Sequence, residues 1–310
     1  MSVMNVRPDK DLLIEVAALK GMKESFVEKD WLVTQVIRTI RGINQDGFEV
    51  VFSGGTALSK AHNLLFRFSE DVDFRLLVNP ELHTRKNLSS FKYTVLDALR
   101  ADGFAIEAHH VKARDENRFF SIDLEYETVF PRENSLRPHI QIEMTARNIQ
   151  LPHISLPVSS FLNELAKHPP EVVAISCIDP VESAADKLSA IAWRIPDRVR
   201  GGQYDDPSIV RHIHDLAILK DRALAHAGFA GLVAKSMQED NNRAKNDLSL
   251  EGMAMPQKLD KMLDILITDK AYAEEYRRFV EDVSYAKSSQ TLDFENAIQA
   301  VQVLIKAVSQ

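Results

Sequence analysis

The stretch that most narrows what this chain can become is Phe52-Ser53-Gly54-Gly55-Thr56-Ala57-Leu58-Ser59-Lys60, followed after a short gap by Arg67-Phe68-Ser69-Glu70-Asp71-Val72-Asp73-Phe74. Composition predicts a strand over Phe48 to Phe52, a helix over Gly55 to Leu65 and a second strand over Val72 to Val78. Two glycines between strand and helix let the backbone turn sharply and approach an anion, and a helix N-terminus adds a favourable partial charge. On the second strand Asp71 and Asp73 point to one face, about 6 to 7 Å apart at the backbone. Two hard oxygen ligands beside a phosphate cradle suit Mg²⁺, which takes its remaining ligands from water and substrate phosphates. One such ion, or two acting as a pair, stabilises the entering and leaving oxygens of an in-line displacement. A Gly-Gly turn alone usually only turns the chain, and an isolated Asp-x-Asp usually lies on a solvated strand face. Their succession carries the reading.

A third carboxylate is expected from a neighbouring strand. Glu143, within the apolar alternation Gln141-Ile142-Glu143-Met144, is the best candidate, with Asp123 and Glu125 of Ser121-Ile122-Asp123-Leu124-Glu125 as alternatives. Around these strands the periodicity predicts two helices over residues 8 to 43, a helix from about Leu88 to Ala101, and strands near Ala105 to Val111, Phe119 to Tyr126 and His139 to Met144. These make a mixed sheet of about five strands. Pro152, Pro157, Pro169 and Pro170 then mark a change of character. The domain boundary is expected near 155 to 170, dividing a domain over 1–160 from a helical one over 161–310. In the second part a helix opens at Asp179-Pro180-Val181-Glu182, with Asp at the N-cap and Pro at the first helical position. Another opens at Asp206-Pro207, and helices are expected near 222 to 240, 256 to 268, 270 to 284 and 291 to 308. The fold class is α+β followed by a helical bundle.

The 310 residues, 45% hydrophobic and 27% charged, are ordinary for a packed globular chain. A formal net charge of -7 disfavours a nonspecific nucleic-acid binder acting through its global field, so any RNA contact must be local. Three basic clusters offer one: Lys112, Arg114 and Arg118; Arg194, Arg198 and Arg200; and Arg211 with His212 and His214. A solvated surface is the simpler reading of each. The single cysteine, Cys177, lies in an apolar run and reads as buried filler. No stretch approaches the roughly 18 apolar residues of a membrane span, and the start lacks a signal-peptide core, so a cytoplasmic protein with no membrane partner is expected.

The span GGTALSKAHNLLFRFSEDVDF, from Gly54 to Phe74, resembles the first motifs of the AbiEii/AbiGii-type nucleotidyltransferase toxins, which read GGT-x-L-x-K and then R-x-S-x-D-[IVL]-D. That family has the polymerase-beta-like nucleotidyltransferase fold and includes toxins of type IV toxin–antitoxin systems and of phage abortive infection. The resemblance extends to Glu182-Ser183-Ala184-Ala185-Asp186-Lys187-Leu188-Ser189-Ala190, and to Arg211-His212-Ile213-His214-Asp215-Leu216, where His212 replaces a common aspartate. It implies that Asp71 and Asp73 hold Mg²⁺, with Glu143 the best candidate for a third ligand beside Asp123 and Glu125, that Gly54, Gly55 and Thr56 bind phosphates through amides and a hydroxyl, and that Lys60, Arg67 and Ser69 serve the nucleotide. It also implies that Lys187 neutralises the leaving group and that Asp215 orients either the acceptor or Lys187. On residues alone, Lys187 flanks the buried stripe Ala184, Leu188, Ile191 and Ile195 and would pass for a surface lysine. The implied substrate is an NTP, the acceptor the tRNA 3′ end and the partner a cognate antitoxin. Transfer to a small molecule or a protein, or an idle antitoxin-binding module, are the alternatives.

Overall fold

The computed structural model describes residues 7–133, 135–203, 205–241, 250, 252–286 and 291–309. It divides into two compact units, Met1–Ile178 and Asp179–Gln310. The first unit opens with helices α1 (Lys10–Lys20) and α2 (Glu24–Arg41). A mixed sheet follows, built from β1 (Phe48–Ser53), β2 (Val72–Val78), β3 (Val111–Arg114), β4 (Phe119–Glu125), β5 (His139–Ala146), β6 (Ile154–Val158) and β7 (Val172–Cys177). The order is β3-β4-β5-β2-β1-β7-β6, with β2/β5 and β1/β7 parallel and the other pairs antiparallel. Between the strands lie α3 (Gly54–Thr56), α4 (Arg85–Ala101) and α5 (Phe161–Ala166).

The seven strands exceed the five expected, and the difference traces to proline. Pro157 reads as a break, yet β6 is the edge strand of the sheet, where a missing N–H breaks no ladder, and the register shifts between Leu156 and Val158. β7 pairs in parallel with β1 through Phe52 and Cys177, and the Ile178 amide donates to the Phe52 carbonyl at 2.9 Å. The first unit therefore runs on to Ile178, past the 160/161 boundary expected from the prolines. β3 also starts later than expected, because Ala108–His110 forms a 3₁₀ turn. Buried Cys177 has its thiol pKa pushed up to about 12 by desolvation, in keeping with an inert side chain.

Strand alternation sorts the sheet into two faces. Val72, Phe74 and Leu76 of β2, Ile140, Ile142 and Met144 of β5, and Phe120, Ile122 and Leu124 of β4 share one core with Leu32, Val36 and Ile40 of α2 and Phe91, Val95 and Leu99 of α4. The intervening residues, among them Asp73, Glu143 and Ser121, fall on the other face.

Helix α2 also buries the consecutive residues Glu28, Lys29 and Asp30. Each holds a different piece of chain. Glu28 accepts from the Thr128 hydroxyl and from the Val129 amide at 3.1 Å. The Lys29 ammonium donates to Glu70 Oε2, to the Arg137 carbonyl at 2.7 Å and to the His139 carbonyl at 3.0 Å. Asp30 accepts from Lys60 and from the Phe161 amide at 2.8 Å. Burial lowers the Lys29 pKa against the opposing pull of Glu70, and burial raises that of Asp30 against the pull of Lys60.

The second unit is helical where described: α6 (Pro180–Arg194), a 3₁₀ turn at Pro207–Val210, α7 (Arg211–Ala225), α8 (Phe229–Asn241), α9 (Met255–Thr268), α10 (Ala271–Val283) and α11 (Phe294–Val308). Asp179 caps α6 by accepting from the Val181 amide at 2.7 Å, as its sequence predicts. The helix expected over 222 to 240 is two, separated at His226 and Gly228, where the glycine amide donates back to the His226 ring at 3.1 Å. No helix among the described residues is long and apolar enough to cross a membrane.

Replacing Lys29 by Ala would take a buried ammonium away from the partly buried Glu70 carboxylate and from two carbonyls. We expect a loss of about 3–5 kcal/mol in urea unfolding; a loss below about 1 kcal/mol would show that the clamp does not hold the unit together.

Candidate active site

At the end of β1 the chain enters Gly54 with φ +74°, a left-handed conformation that suits glycine. One helical turn, α3, follows, and then a π-type turn at Ala57–Ala61, closed by His62 N to Ala57 O at 3.0 Å. The long helix expected as far as Leu65 is absent, because Asn63 takes a positive φ of 53° and ends the run. A helix dipole thus contributes little. What remains is the tight turn itself, a type of irregularity common at functional sites.

The glycines are required by what lies on them. A Cβ on Gly54 would stand 1.9 Å from Asp73 Oδ2, and one on Gly55 would stand 2.6 Å from Arg67 Nη2 and 3.0 Å from Ser69 Oγ. The structure therefore gathers Gly54, Gly55, Arg67, Ser69 and Asp73 at one place, as the sequence motif implies. Strand register adds to the group: Ser53 is opposite Asp73 on β1 and β2, and Asp73 is opposite Glu143 on β2 and β5. Asp71 immediately precedes β2. Its carboxylate takes a 2.6 Å ion pair from Arg137 Nη1, and its carbonyl accepts from the Thr56 hydroxyl.

Thr56 and Lys60, expected to serve the nucleotide, also make contacts within the protein. Thr56 is fully buried, and its hydroxyl ties the glycine turn to the start of β2. Lys60 is buried in its pair with Asp30, its ammonium 5.2 Å from the centre of the Phe161 ring. Of the alternative third carboxylates, Asp123 faces Gln141 in the register and pairs with Lys112 at 3.1 Å, while Glu125 faces His139. Both are farther along the sheet from Asp73 than Glu143 is.

Among the described residues, no three His, Cys, Asp or Glu side chains stand close enough to hold a metal by themselves. Mg²⁺ does not need such a cage, since one or two carboxylates completed by water and phosphate suffice. The donor chemistry fits: Asp73, its strand neighbour Glu143 and Asp71 supply only hard oxygens beside a turn that a side chain would fill.

In the second unit Lys187 is buried in α6, and its ammonium is 2.8 Å from Asp215 Oδ2 of α7. Asp215 is wholly buried, with His214 Nδ1 at 3.4 Å from its other oxygen. The reading of Lys187 as a surface side chain is therefore replaced by an interior ion pair. Both ring nitrogens of His212 are buried without a hydrogen-bond partner. Desolvation, with Lys187, Arg211 and Arg194 nearby, holds its pKa well below the usual range, so the ring is neutral. Arg198 pairs with Asp205 and Glu275, and Arg200 with Glu275 and Asp269, so these two brace their loop against α10.

A model of the family described as nucleotidyl transferase AbiEii toxin, type IV toxin–antitoxin system, matches residues 41–300. The chain belongs to the AbiEii family. It is thus a nucleotidyltransferase toxin, and a type IV system implies an antitoxin partner and a nucleotide substrate. Among solved structures, MenT4, a nucleotidyltransferase toxin from Mycobacterium tuberculosis, aligns with a TM-score of 0.51 at 16% identity, covering 96% of this chain and 98% of its own. That likeness supports the fold alone. An antigenic nucleotidyltransferase-like protein from Paracoccidioides brasiliensis aligns over 69% of this chain and 89% of its own, at 13% identity and a TM-score of 0.36. No curated protein matches the chain.

Sequence reasoning missed Lys29, Glu70 and Arg137, which the family motif does not single out. Glu70 accepts from both Lys29 and the Arg137 amide, the latter at 3.0 Å, so this trio fixes the segment that carries Asp71. The adjacent Glu70-Asp71 acidic pair is the one sequence signal that something positive lies opposite.

Gly54→Ala forces a Cβ into the Asp73 carboxylate at an unsuitable φ. We expect a loss of about 1–3 kcal/mol in stability and of about a hundredfold in nucleotidyl transfer. Gly231→Ala, in α8 with nothing within 4 Å of the new Cβ, is the control and should leave transfer unchanged. Full activity in Gly54→Ala would mean that the contact with Asp73 has no bearing on catalysis.

Proposed function

We propose that this AbiEii toxin transfers a nucleotidyl group from an NTP to RNA, with the tRNA 3′ end as acceptor, in the presence of Mg²⁺, and that this transfer inhibits growth or phage propagation. The observation that carries the reading is the close approach of Asp73 to Gly54, which puts a carboxylate against the turn whose amides suit phosphate, with Glu143 in register beside it. The acceptor hydroxyl attacks the α-phosphorus and pyrophosphate leaves. Mg²⁺ supplies charge neutralisation for the phosphates and the attacking oxygen.

The residues of this chain have separable parts in that scheme. The Gly54 and Gly55 amides cradle phosphate oxygens, and Arg67 and Ser69, packed on Gly55, shape the nucleotide end of the turn. Asp71 and Asp73 are the metal ligands. Glu143 is the third carboxylate, favoured over Asp123 and Glu125 by its position opposite Asp73. Lys187 supplies positive charge for the departing pyrophosphate. Its partner Asp215 sets where that ammonium lies within its own unit, which favours the orienting role for Asp215. The acidic net charge leaves any tRNA contact to local basic groups.

Incubation of the purified protein with Mg²⁺, each labelled NTP and total tRNA tests the reading; label confined to protein or small molecules would sink the tRNA assignment. Asp73→Asn and Glu143→Gln should each lower single-turnover transfer by about a hundredfold to a thousandfold, with melting temperatures close to the parent. Asp123→Asn should retain most activity. Lys187→Ala should lose about a hundredfold, with Lys187→Arg restoring only part. Wild-type rates in Asp73→Asn would remove the proposed site altogether.

A further inference from the structure

Arg137 holds Asp71 through a partly exposed side chain carried on a buttressed backbone. Its amide donates to Glu70 Oε2 at 3.0 Å and its carbonyl accepts from the buried Lys29 ammonium at 2.7 Å. The peptide is thereby clamped on both sides. The side chain, by contrast, is 36% exposed. Its Nη1 donates to Asp71 Oδ1 at 2.6 Å and also to Gln141 Oε1, and Gln141 Nε2 donates onward to Glu143 Oε1 at 3.3 Å. Arg137 thus occupies Asp71 Oδ1, and through Gln141 it joins the carboxylates of Asp71 and Glu143 in one hydrogen-bonded chain.

A guanidinium and a divalent cation on the same carboxylate oxygen compete for its lone pairs and repel each other at a few ångströms. We propose that Arg137 is a displaceable plug on the metal site: it holds Asp71 Oδ1, and a divalent cation that takes this oxygen displaces it. This rests on the reading that Asp71 and Asp73 are metal ligands. It adds that the chain sets its own threshold for the ion. A cation taking this oxygen must outcompete the arginine held there. Once displaced, the guanidinium remains near the turn on its fixed backbone, and its planar fork is suited to triphosphate oxygens. Metal entry and phosphate binding are then coupled through one side chain.

The test is Mn²⁺ binding to the full chain without nucleotide, followed by calorimetry or by the EPR signal of free Mn²⁺. Arg137→Ala keeps both backbone hydrogen bonds and removes the plug, so it should bind Mn²⁺ about tenfold more tightly than the parent. Arg137→Lys, which keeps a cation but not the fork, should fall between the two. Asp71→Asn in the Arg137→Ala background should abolish the gain. Equal or weaker Mn²⁺ binding by Arg137→Ala, in a protein whose melting curve matches the parent and whose Asp73→Asn variant still loses the ion, would overturn the plug while leaving the metal site standing. Parental Mn²⁺ affinity in both Asp71→Asn and Asp73→Asn would instead overturn the metal reading, and the plug with it.

Discussion

Three adjacent charges on one helix hold the first unit in register. Glu28, Lys29 and Asp30 are buried, and between them they bind the turn at Thr128, the approach to β5, the segment before β2, the helical turn after the glycines and the start of α5. Buried charges are costly to desolvate and become strongly unfavourable when a partner is lost. That makes the arrangement specific: each partner segment has one position in which the charge is satisfied. The apolar core beside it, shared by α2, α4 and the sheet, supplies the burial energy but tolerates small slips better. The candidate site inherits its precision from the charged cluster, because Glu70 and Arg137, both held by Lys29, flank Asp71.

How much of the site was legible in the sequence depended on how far apart its parts lie along the chain. Gly54, Gly55, Arg67, Ser69 and Asp73 all fall within one short motif, and they meet in the structure. Glu143 ranked above Asp123 and Glu125 in the sequence, and strand register sets it directly opposite Asp73. Thr56 and Lys60 carry the motif's residue types, and their polar ends also reach the Asp71 carbonyl and Asp30, contacts that the motif does not announce. Nothing local to Lys29 or Arg137 announces their roles, since their partners are distant in sequence. Lys187 shows the converse: its periodicity suggested a surface position, and only its partner on α7 makes an interior ammonium tolerable.

The architecture was legible to a similar degree. The order of strand, glycine turn and strand, the core helices and the capped start of α6 follow from periodicity and capping chemistry. The two extra strands were hidden by prolines that look like breaks. A proline at a sheet edge is compatible with pairing, and sequence alone does not reveal which strand will be the edge. The boundary between the units moved for the same reason, since β7 had first to be recognised as sheet.

The separations bridged by Lys29 have a consequence in time. Its bonds to the carbonyls of Arg137 and His139 span 108 and 110 residues. A ribosome adding about 5–20 residues per second needs several seconds to pass from the glycine motif to β5. Through that interval the emerging chain carries the glycine turn, both aspartates, Lys29 and Glu70, but neither Glu143 nor Arg137, which completes the anchorage of Asp71. A cell making this toxin therefore meets an inert polypeptide before it meets an enzyme. That delay is set by topology, and it gives a partner synthesised alongside it an opportunity to be folded first.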